Sequence, residues 1–424
     1  MDFLSDTWAI EGKEYDEFKE QLEKFEKQTI IKEIPMDEFS FLSISDMGVG
    51  YMAYPMGTGT VWKKNKTSLS LKMLPVNKDM FIMNGYGDDV VNESFDNGLF
   101  TIFSKKKLTM PKISKSINEG EFLPVSAKAI STIANRIKYG GSNFFTDRLI
   151  RDMAIASHFD KPIPVSAVLR TDSESGKQKV FAVMSEKYTI IPQKTIISII
   201  DKISKEAEAD LGKTVISDWY IDHSVTRINL DFPEKAEEIA ETYSMAESMV
   251  PGIMIETSDI GDCSLRLRGY FKIGSYTVYT KNEYVQIHSG KFDEAEAVNA
   301  ATGKIFPEYM SYPKKLVSLM AIDITDDSMS SAMKIKKMTK AYKDVSKKIG
   351  LVKEIGKKRE KPLMEQLING INTDISYTAY DVAMTFLTLP KMILSDNKNL
   401  IRSIAKITVN TLDAFDEEDD LLIA

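Results

Sequence analysis

The first clear pattern of hydrophobic positions lies between Lys13 and Gln28, where apolar residues recur with the period of an α-helix. The apolar residues Tyr15, Phe18, Leu22 and Phe25 are spaced three, four and three residues apart. This spacing places them in one stripe along a helix whose remaining surface is charged. The sequence therefore predicts an amphipathic helix within residues 1–30, packed either on the body of the protein or on a second copy.

The pattern changes after residue 30. Short apolar runs alternate with glycine, asparagine and aspartate, as in Gly48–Met52 and Tyr86–Asp89. Frequent turn-forming residues between short apolar runs are typical of strands joined by loops. We therefore expect a mainly β region over residues 31–120.

The next part of the chain mixes both periods. A helix is predicted over Ser126–Lys138 and a helix-rich segment over Phe144–Ser157. Two β-branched runs, Val165–Arg170 and Lys179–Met184, are separated by a polar turn that ends in glycine, which indicates a hairpin. A further helix is predicted to end at about Ser204.

Strand patterns continue through residues 215–280 and complete a predicted α+β core domain over residues 121–325. The alternation is clearest after Ser264, where Leu265 and Leu267 are predicted to face one side of a strand. The opposite face carries cations and aromatics, namely Arg266, Arg268, Tyr270, Lys272 and Tyr276. Such a face can bind phosphates and stack on bases, although the solvated face of an antiparallel sheet has a similar composition.

The strongest charge feature is the segment from Lys334 to Lys361. Its twelve basic residues are Lys334, Lys336, Lys337, Lys340, Lys343, Lys347, Lys348, Lys353, Lys357, Lys358, Arg359 and Lys361. Only three acids accompany them, so the segment has a local charge of +9 in a chain whose net charge is -7. This concentration favours attraction to polyanions, while the exposed face of a docking helix remains the alternative.

The apolar residues of this basic segment keep a heptad-like order. They are Ile335, Met338, Tyr342, Val345, Ile349 and Val352. This order predicts a helix that buries one stripe and leaves its lysines outside. We predict phosphate contacts from Lys336, Lys337, Lys340, Lys343, Lys347, Lys348, Lys357, Lys358 and Arg359, together with Arg266, Arg268 and Lys272, and base stacking by Tyr270.

The rest of the C-terminal part is predicted to be helical over residues 326–411. After Pro362, the patterns indicate helices over Leu363–Ile371, Ser376–Leu389 and Asn397–Thr411. An acidic, mobile tail over residues 412–424 follows, with an apolar end at Leu421–Ala424. Such a tail either binds a partner protein or keeps the chain soluble.

Composition narrows the class of protein. A chain of 424 residues with 43% hydrophobic and 28% charged residues is long enough for two or three globular domains. Its one cysteine, Cys263, excludes intrachain disulfides and fits a reducing compartment such as the cytoplasm. No signal peptide and no membrane span is expected, because the required apolar runs are missing.

Residues suited to catalysis are scarce. The three histidines, His158, His223 and His288, are far apart in the sequence, and a single cysteine cannot form a zinc cluster. Asp222, His223 and Ser224 are adjacent in a strand-like run, so their side chains alternate between faces and do not form a triad. We therefore expect a protein that is not an enzyme and that needs no cofactor. Because the 62 acids allow many combinations, a carboxylate-based metal site stays open, and with it a metal-dependent nuclease as a distant alternative.

Four segments carry a resemblance to a known family. Ile133–Lys138, Val180–Tyr188 and Ile190–Thr195, with a weaker match at Pro251–Gly261, resemble the phage/plasmid-like proteins. This family is also called domain of unknown function number nine hundred and thirty-two, and the resemblance covers about residues 124–279. Ser258-Asp259 departs from the Ser-Glu of the family, and its Cys-Thr-Asn-Gly-like element is missing. The resemblance implies a phage origin and a setting in DNA replication or recombination.

These patterns lead to two functional hypotheses for an α+β protein, which has a mixed or antiparallel sheet core, flanking helices and a helical C-terminal region. The first is a phage-encoded nucleic-acid-binding protein of the host cytoplasm, which binds or anneals single-stranded DNA. The second is a structural or assembly protein of the phage particle that self-associates through its amphipathic helices and lines packaged DNA. Assembly without nucleic acid would favour the second hypothesis.

Overall fold

A computed structural model describes most of the chain. The described residues are 2–35, 39–44, 49–55, 69–75, 85–102, 122–136, 151, 164–243, 248–274, 276–290, 292–389, 407, 410–411 and 414–415. Most of the predicted helical segments 144–157 and 397–411, and most of the predicted acidic tail, lie outside these residues.

The described elements form an α+β fold in which every paired strand is antiparallel to its neighbours. The strands are β1 (Ala9–Gly12), β2 (Thr29–Pro35), β3 (Phe39–Ile44), β4 (Val49–Pro55), β5 (Leu69–Pro75), β6 (Leu99–Ile102), β7 (Phe122–Pro124), β8 (Pro164–Thr171), β9 (Gln178–Ser185), β10 (Val215–Asp222), β11 (Thr226–Asp231), β12 (Met249–Thr257), β13 (Leu265–Ile273) and β14 (Tyr276–Gln286). The helices are α1 (Tyr15–Lys27), α2 (Asp88–Asn97), α3 (Ala127–Arg136), α4 (Gln193–Leu211), α5 (Pro233–Tyr243), α6 (Glu294–Ala300), α7 (Glu308–Met320), α8 (Ser331–Lys348), α9 (Leu351–Ile355), α10 (Lys357–Asn369) and α11 (Ala379–Leu387). The predicted fold class is confirmed.

The central element is a six-stranded sheet with the strand order β1-β10-β11-β12-β13-β14. Its strands from β10 onward follow one another as a meander, and β1 is added at the edge by pairing Ala9 with Asp222. Along β13 the odd-numbered residues are buried, as the alternation of Leu265 and Leu267 predicts. The apolar face of this strand therefore has the assignment expected from the sequence, whereas Tyr270, predicted for the opposite face, is also buried.

Helices cover the apolar face of this sheet and form the largest core. This core contains Leu22 of α1, Ile199 of α4, Phe271 of β13, Val345 of α8 and Phe386 of α11. This core joins the sheet to helices from distant parts of the chain, because each helix has an apolar stripe that water would otherwise surround.

Helix α1 has the predicted apolar stripe, and the structure shows what this stripe packs on. Phe18, Leu22 and Phe25 are at most 2% exposed and lie within the same core as the six-stranded sheet. The stripe packs on the body of its own chain, which is the first of the two predicted partners, and is therefore not available as a contact with a second copy. Residues 1–30, predicted as a separate segment, share this core.

Two smaller sheets complete the described fold. One has the order β2-β8-β9 and contains the predicted hairpin, whose strands are joined by a turn around Gly176. The other has the order β5-β4-β3-β6-β7, and its strands β3 to β6 belong to the predicted mainly β region, whereas β7 lies just after it. Helix α3 packs on β9, and β7 also contacts β9, which joins the two small sheets.

Two fully buried cations lie side by side on the hairpin, where Arg170 pairs in register with Lys179. The guanidinium of Arg170 donates to Asp259 at 2.7 Å and lies 4.1 Å from the centre of the Phe25 ring. Lys179 forms ion pairs with Asp6 at 2.7 Å and with Glu93. These ion pairs connect the N-terminal segment, α2, the hairpin and the loop after β12, because buried charges require nearby partners of opposite sign.

His223 lies beside this buried ionic cluster. It is 3% exposed, and its Nε2 is 2.6 Å from the carbonyl oxygen of Phe3. Burial, together with the positive charges of Arg170 and Lys179, holds the pKa of His223 well below its usual value of 6.5. His223 is therefore neutral in the folded protein over the physiological pH range.

We expect the free energy of unfolding to fall as the pH drops below about 6.5, by up to about 1.4 kcal/mol per pH unit. In this range the unfolded chain binds a proton on His223 that the folded chain does not bind. Urea unfolding at pH 7.5, 6.5 and 5.5 measures the slope, which should be smaller in His223→Leu. His288, whose pKa burial also lowers, stays in both proteins as an internal control. Equal slopes in the two proteins would contradict the assignment to His223.

Candidate nucleic-acid interface

Helix α8 carries most of the predicted phosphate-binding lysines. It begins after Ser330, whose Oγ accepts a hydrogen bond from the backbone amide of Met333 at 3.4 Å. It ends at Lys348, two residues before Gly350, whose φ of +67° belongs to the left-handed region that glycine adopts without strain. A serine cap at one end and a glycine at the other fix the length of the helix.

One face of α8 is buried in the large core. Met338, Tyr342, Val345 and Ile349 of the predicted stripe are at most 5% exposed, whereas Ile335 and Val352 are 42% and 47% exposed. The heptad order therefore fails at both ends. At the C-terminal end the cause is Gly350, because the chain turns there and Leu351, not Val352, enters the core.

The opposite face of α8 carries what we call the lysine row, which consists of Lys336, Lys340, Lys343 and Lys347. All four side chains are exposed. At 3.6 residues per turn, their spacing of four, three and four keeps them within roughly 60° of one line along the helix. The row is about 16 Å long at a rise of 1.5 Å per residue. It lies directly opposite the buried stripe.

Three lysines of the row have no acidic partner among the described residues. No described carboxylate forms an ion pair with Lys336, Lys343 or Lys347. Because exposed charges of this kind attract counterions, these three lysines present a concentrated positive potential to the solvent. The lysines of the row are therefore accessible to a polyanion.

Other basic residues of the segment have different positions. Lys337 is half-buried on the flank of α8, and Lys348 donates from its Nζ to the carbonyl oxygen of Ala414 at 3.2 Å. Lys334 is only 4% exposed and donates to the carbonyl oxygen of Ile375 at 2.9 Å. Lys334 therefore has a structural role.

Lys357, Lys358 and Arg359 form a second group of exposed cations in the first turn of α10. Helix α10 packs against α8 and α9, so this group belongs to the same helical unit as the lysine row. The positive end of the helix dipole adds to the charge of these side chains and favours anions there. The helix begins before Pro362 and not after it as predicted, so the proline interrupts only one backbone hydrogen bond.

The cations of β13 have close acidic partners. Arg268 donates to Glu283 on β14, and the Nε of Arg266 lies 3.4 Å from the same carboxylate. The Nζ of Lys272 lies 2.7 Å from Asp231 on β11. The predicted face exists, but neighbouring strands supply carboxylates that reduce its attraction for phosphates.

Tyr270 is 1% exposed, and this burial rules out the predicted stacking on bases. Its ring lies against Gly252, where an added Cβ would come within 2.4 Å of the ring, and its hydroxyl donates to Asp231 at 2.6 Å. Burial and the nearby Asp231 carboxylate raise the pKa of the Tyr270 hydroxyl. The side chain of Tyr276 lies outside the described residues.

Comparison of the chain with models of known protein families, with curated proteins and with solved structures finds no match. The resemblance to the phage/plasmid-like proteins therefore stays a prediction. Within the described ranges, no helix is long and apolar enough to cross a membrane. The same residues contain no group of three or more side chains suited to hold a metal ion.

Proposed function

We propose that the protein binds nucleic acids through the lysine row and the neighbouring first turn of α10. The observation that carries this proposal is the placement of four exposed lysines in one line, opposite the buried stripe of α8. With the resemblance to phage proteins, it supports a phage-encoded protein of the host cytoplasm that acts on DNA in replication or recombination.

The chemistry of the row favours the sugar-phosphate backbone over the bases. Lysine ammonium groups act as point charges, and contacts of this kind position a nucleic acid without reading its sequence. Neither the lysine row nor the first turn of α10 contains an aromatic residue, and Tyr270 is buried. We therefore expect binding with little sequence preference.

A membrane surface fits the row less well than a nucleic acid does. Helices that lie in a membrane interface insert a broad apolar face next to their cationic face. The apolar face of α8 is occupied by the protein core, so it is not available for lipid.

The structural or assembly alternative loses much of its support for the same reason. It relied on the amphipathic helices as subunit contacts, but α1 and α8 both bury their stripes within their own chain. Size-exclusion chromatography at low and high protein concentration separates the two proposals. Large assemblies formed without nucleic acid would favour the particle protein.

The test of the proposed function is fluorescence anisotropy with labelled single-stranded DNA, double-stranded DNA and RNA over a range of salt concentrations. The four contacts of the lysine row alone predict a slope of log affinity against log salt of about -4 for duplex and about -3 for single strands, and contacts from the first turn of α10 steepen it further. Two oligonucleotide sequences of equal length should bind with similar affinity. Absence of binding to all probes at low salt, or an affinity that does not change with salt, would refute the proposal.

A further inference from the structure

The chain returns to helix α8 just before its last residues. Ala414 and Phe415 are 6% and 5% exposed and belong to the large core. The carbonyl oxygen of Ala414 accepts a hydrogen bond from the Nζ of Lys348, which directly follows the last residue of the lysine row. These contacts fix the start of the acidic tail at the C-terminal end of the row.

Five consecutive acids follow this anchor, namely Asp416, Glu417, Glu418, Asp419 and Asp420. At 3.3–3.6 Å per extended residue, five residues reach about 17 Å. The lysine row is about 16 Å long at 1.5 Å per helical residue. The acidic stretch therefore matches the row in length and opposes it in charge.

We infer that residues 416–420 bind the lysine row when no nucleic acid is present and compete with nucleic acid for it. This inference rests on the proposed function, because the same row is the proposed phosphate site. The occupant is a segment of the same chain whose first residue follows directly after the anchored Phe415.

Physical chemistry makes such a contact reversible. Each exposed ion pair is weak on its own, but a segment anchored next to its site has an effective concentration in the millimolar range. A nucleic acid that contacts the row and the first turn of α10 together offers more charges than the five acids. It displaces the segment, whereas short or weakly charged polyanions do not. The acidic segment would thus raise the charge that a polyanion needs in order to bind the lysine row.

The first experiment changes the five acids to their amides, Asp416→Asn, Glu417→Gln, Glu418→Gln, Asp419→Asn and Asp420→Asn, in the full chain. Affinity for a labelled 30-nucleotide oligothymidylate at low salt should rise about tenfold, the ratio expected when the effective concentration exceeds the dissociation constant of the contact by that factor. The gain should shrink at high salt, since screening weakens the competing contact.

A matched control separates this competition from a change in net charge. The exposed acids Glu206, Glu208 and Asp210 of α4 and Glu237 and Glu241 of α5 are changed to amides in a second variant. The net charge changes equally, so a similar gain in both variants would overturn the inference. A gain limited to the tail variant supports it.

A second readout needs no nucleic acid. Carbodiimide joins contacting carboxylates and amines, and peptide mass spectrometry locates the joined residues. Crosslinks between residues 416–420 and the lysine row are expected at low salt, with few at about 1 M salt, where the Debye length is about 3 Å. Absence of these crosslinks at low salt would overturn the inference even if the protein binds nucleic acids. Crosslinks in a protein that binds no nucleic acid would retain the intramolecular contact and reject only the proposed function.

Discussion

Replacing Lys336, Lys340, Lys343 and Lys347 together by glutamine is expected to lower the affinity for nucleic acid at least about 100-fold at 0.1 M salt. Each lysine that neutralises a phosphate releases a counterion and raises the affinity by its own factor, so the factors lost with four lysines multiply. The slope of log affinity against log salt should become shallower by about three to four. Anisotropy titrations of the wild type and the variant at four salt concentrations measure both quantities.

The matched control for the lysine variant replaces four exposed lysines elsewhere, namely Lys13, Lys32, Lys205 and Lys213. It changes the net charge equally but leaves the lysine row intact, so its affinity should stay within a few-fold of the wild type. Since all eight residues lie on the surface, each substitution should change the unfolding free energy by less than about 0.5 kcal/mol. An equal loss of affinity in both variants would mean that total charge, and not the row, attracts the nucleic acid.

Asp259→Ala is expected to lower the unfolding free energy by about 3–5 kcal/mol, the largest effect on stability that we predict. The carboxylate of Asp259 is 2.7 Å from the fully buried guanidinium of Arg170. Removing it leaves a positive charge inside the protein without an ionised partner. Among the other described contacts of Arg170 are Thr29, the carbonyl of His223 and the Phe25 ring, and none of these groups carries a negative charge. Urea unfolding measured by circular dichroism gives the difference.

Two further variants test the cause of this destabilisation. The double substitution Arg170→Met with Asp259→Leu removes both charges and should be clearly more stable than Asp259→Ala, because no buried charge remains unpaired. Asp210→Ala, at an exposed position on α4, should change stability by less than about 0.5 kcal/mol. A loss below 1 kcal/mol in Asp259→Ala would show that solvent or another group compensates Arg170.

Much of the fold follows from local patterns in the sequence. The helix over Tyr15–Lys27, the hairpin of β8 and β9, and the alternation of β13 all depend on neighbouring residues. In each case the apolar period is set by the geometry of a single element. The exposed lysine row follows in the same way from the stripe of α8.

The partners of these elements could not be predicted in the same way, because they are distant in the sequence. Tyr270 lies on the predicted face of β13 but is buried by its contacts with Gly252 and Asp231. The period of apolar residues in a strand shows which side of the sheet a residue faces, but it does not show which other residues cover that side. The ion pair of Arg170 with Asp259 could not be predicted for the same reason. Arg170 is on β8, and Asp259 is in the loop after β12.

One local signal could have been used more fully. Gly350 and Gly356 divide the basic segment into α8, α9 and α10, and both have positive φ angles. A glycine within a continuous heptad pattern often marks a helix end. Such an interpretation would have placed Lys357, Lys358 and Arg359 at the start of a new helix, next to the lysine row and not along its continuation.

The edge strand β1 has a consequence for the order in which the protein folds during synthesis. Ala9 pairs with Asp222, and Trp219 donates to the carbonyl oxygen of Glu14, so β1 and the start of α1 depend on residues made about 210 positions later. Until those residues emerge from the ribosome, the nascent chain lacks the sheet on which α1 packs, and part of the apolar stripe of α1 stays uncovered. The segment from β1 to α1 therefore waits for the sheet before it reaches its native position, and chaperones that hold exposed apolar segments would act on it during this time.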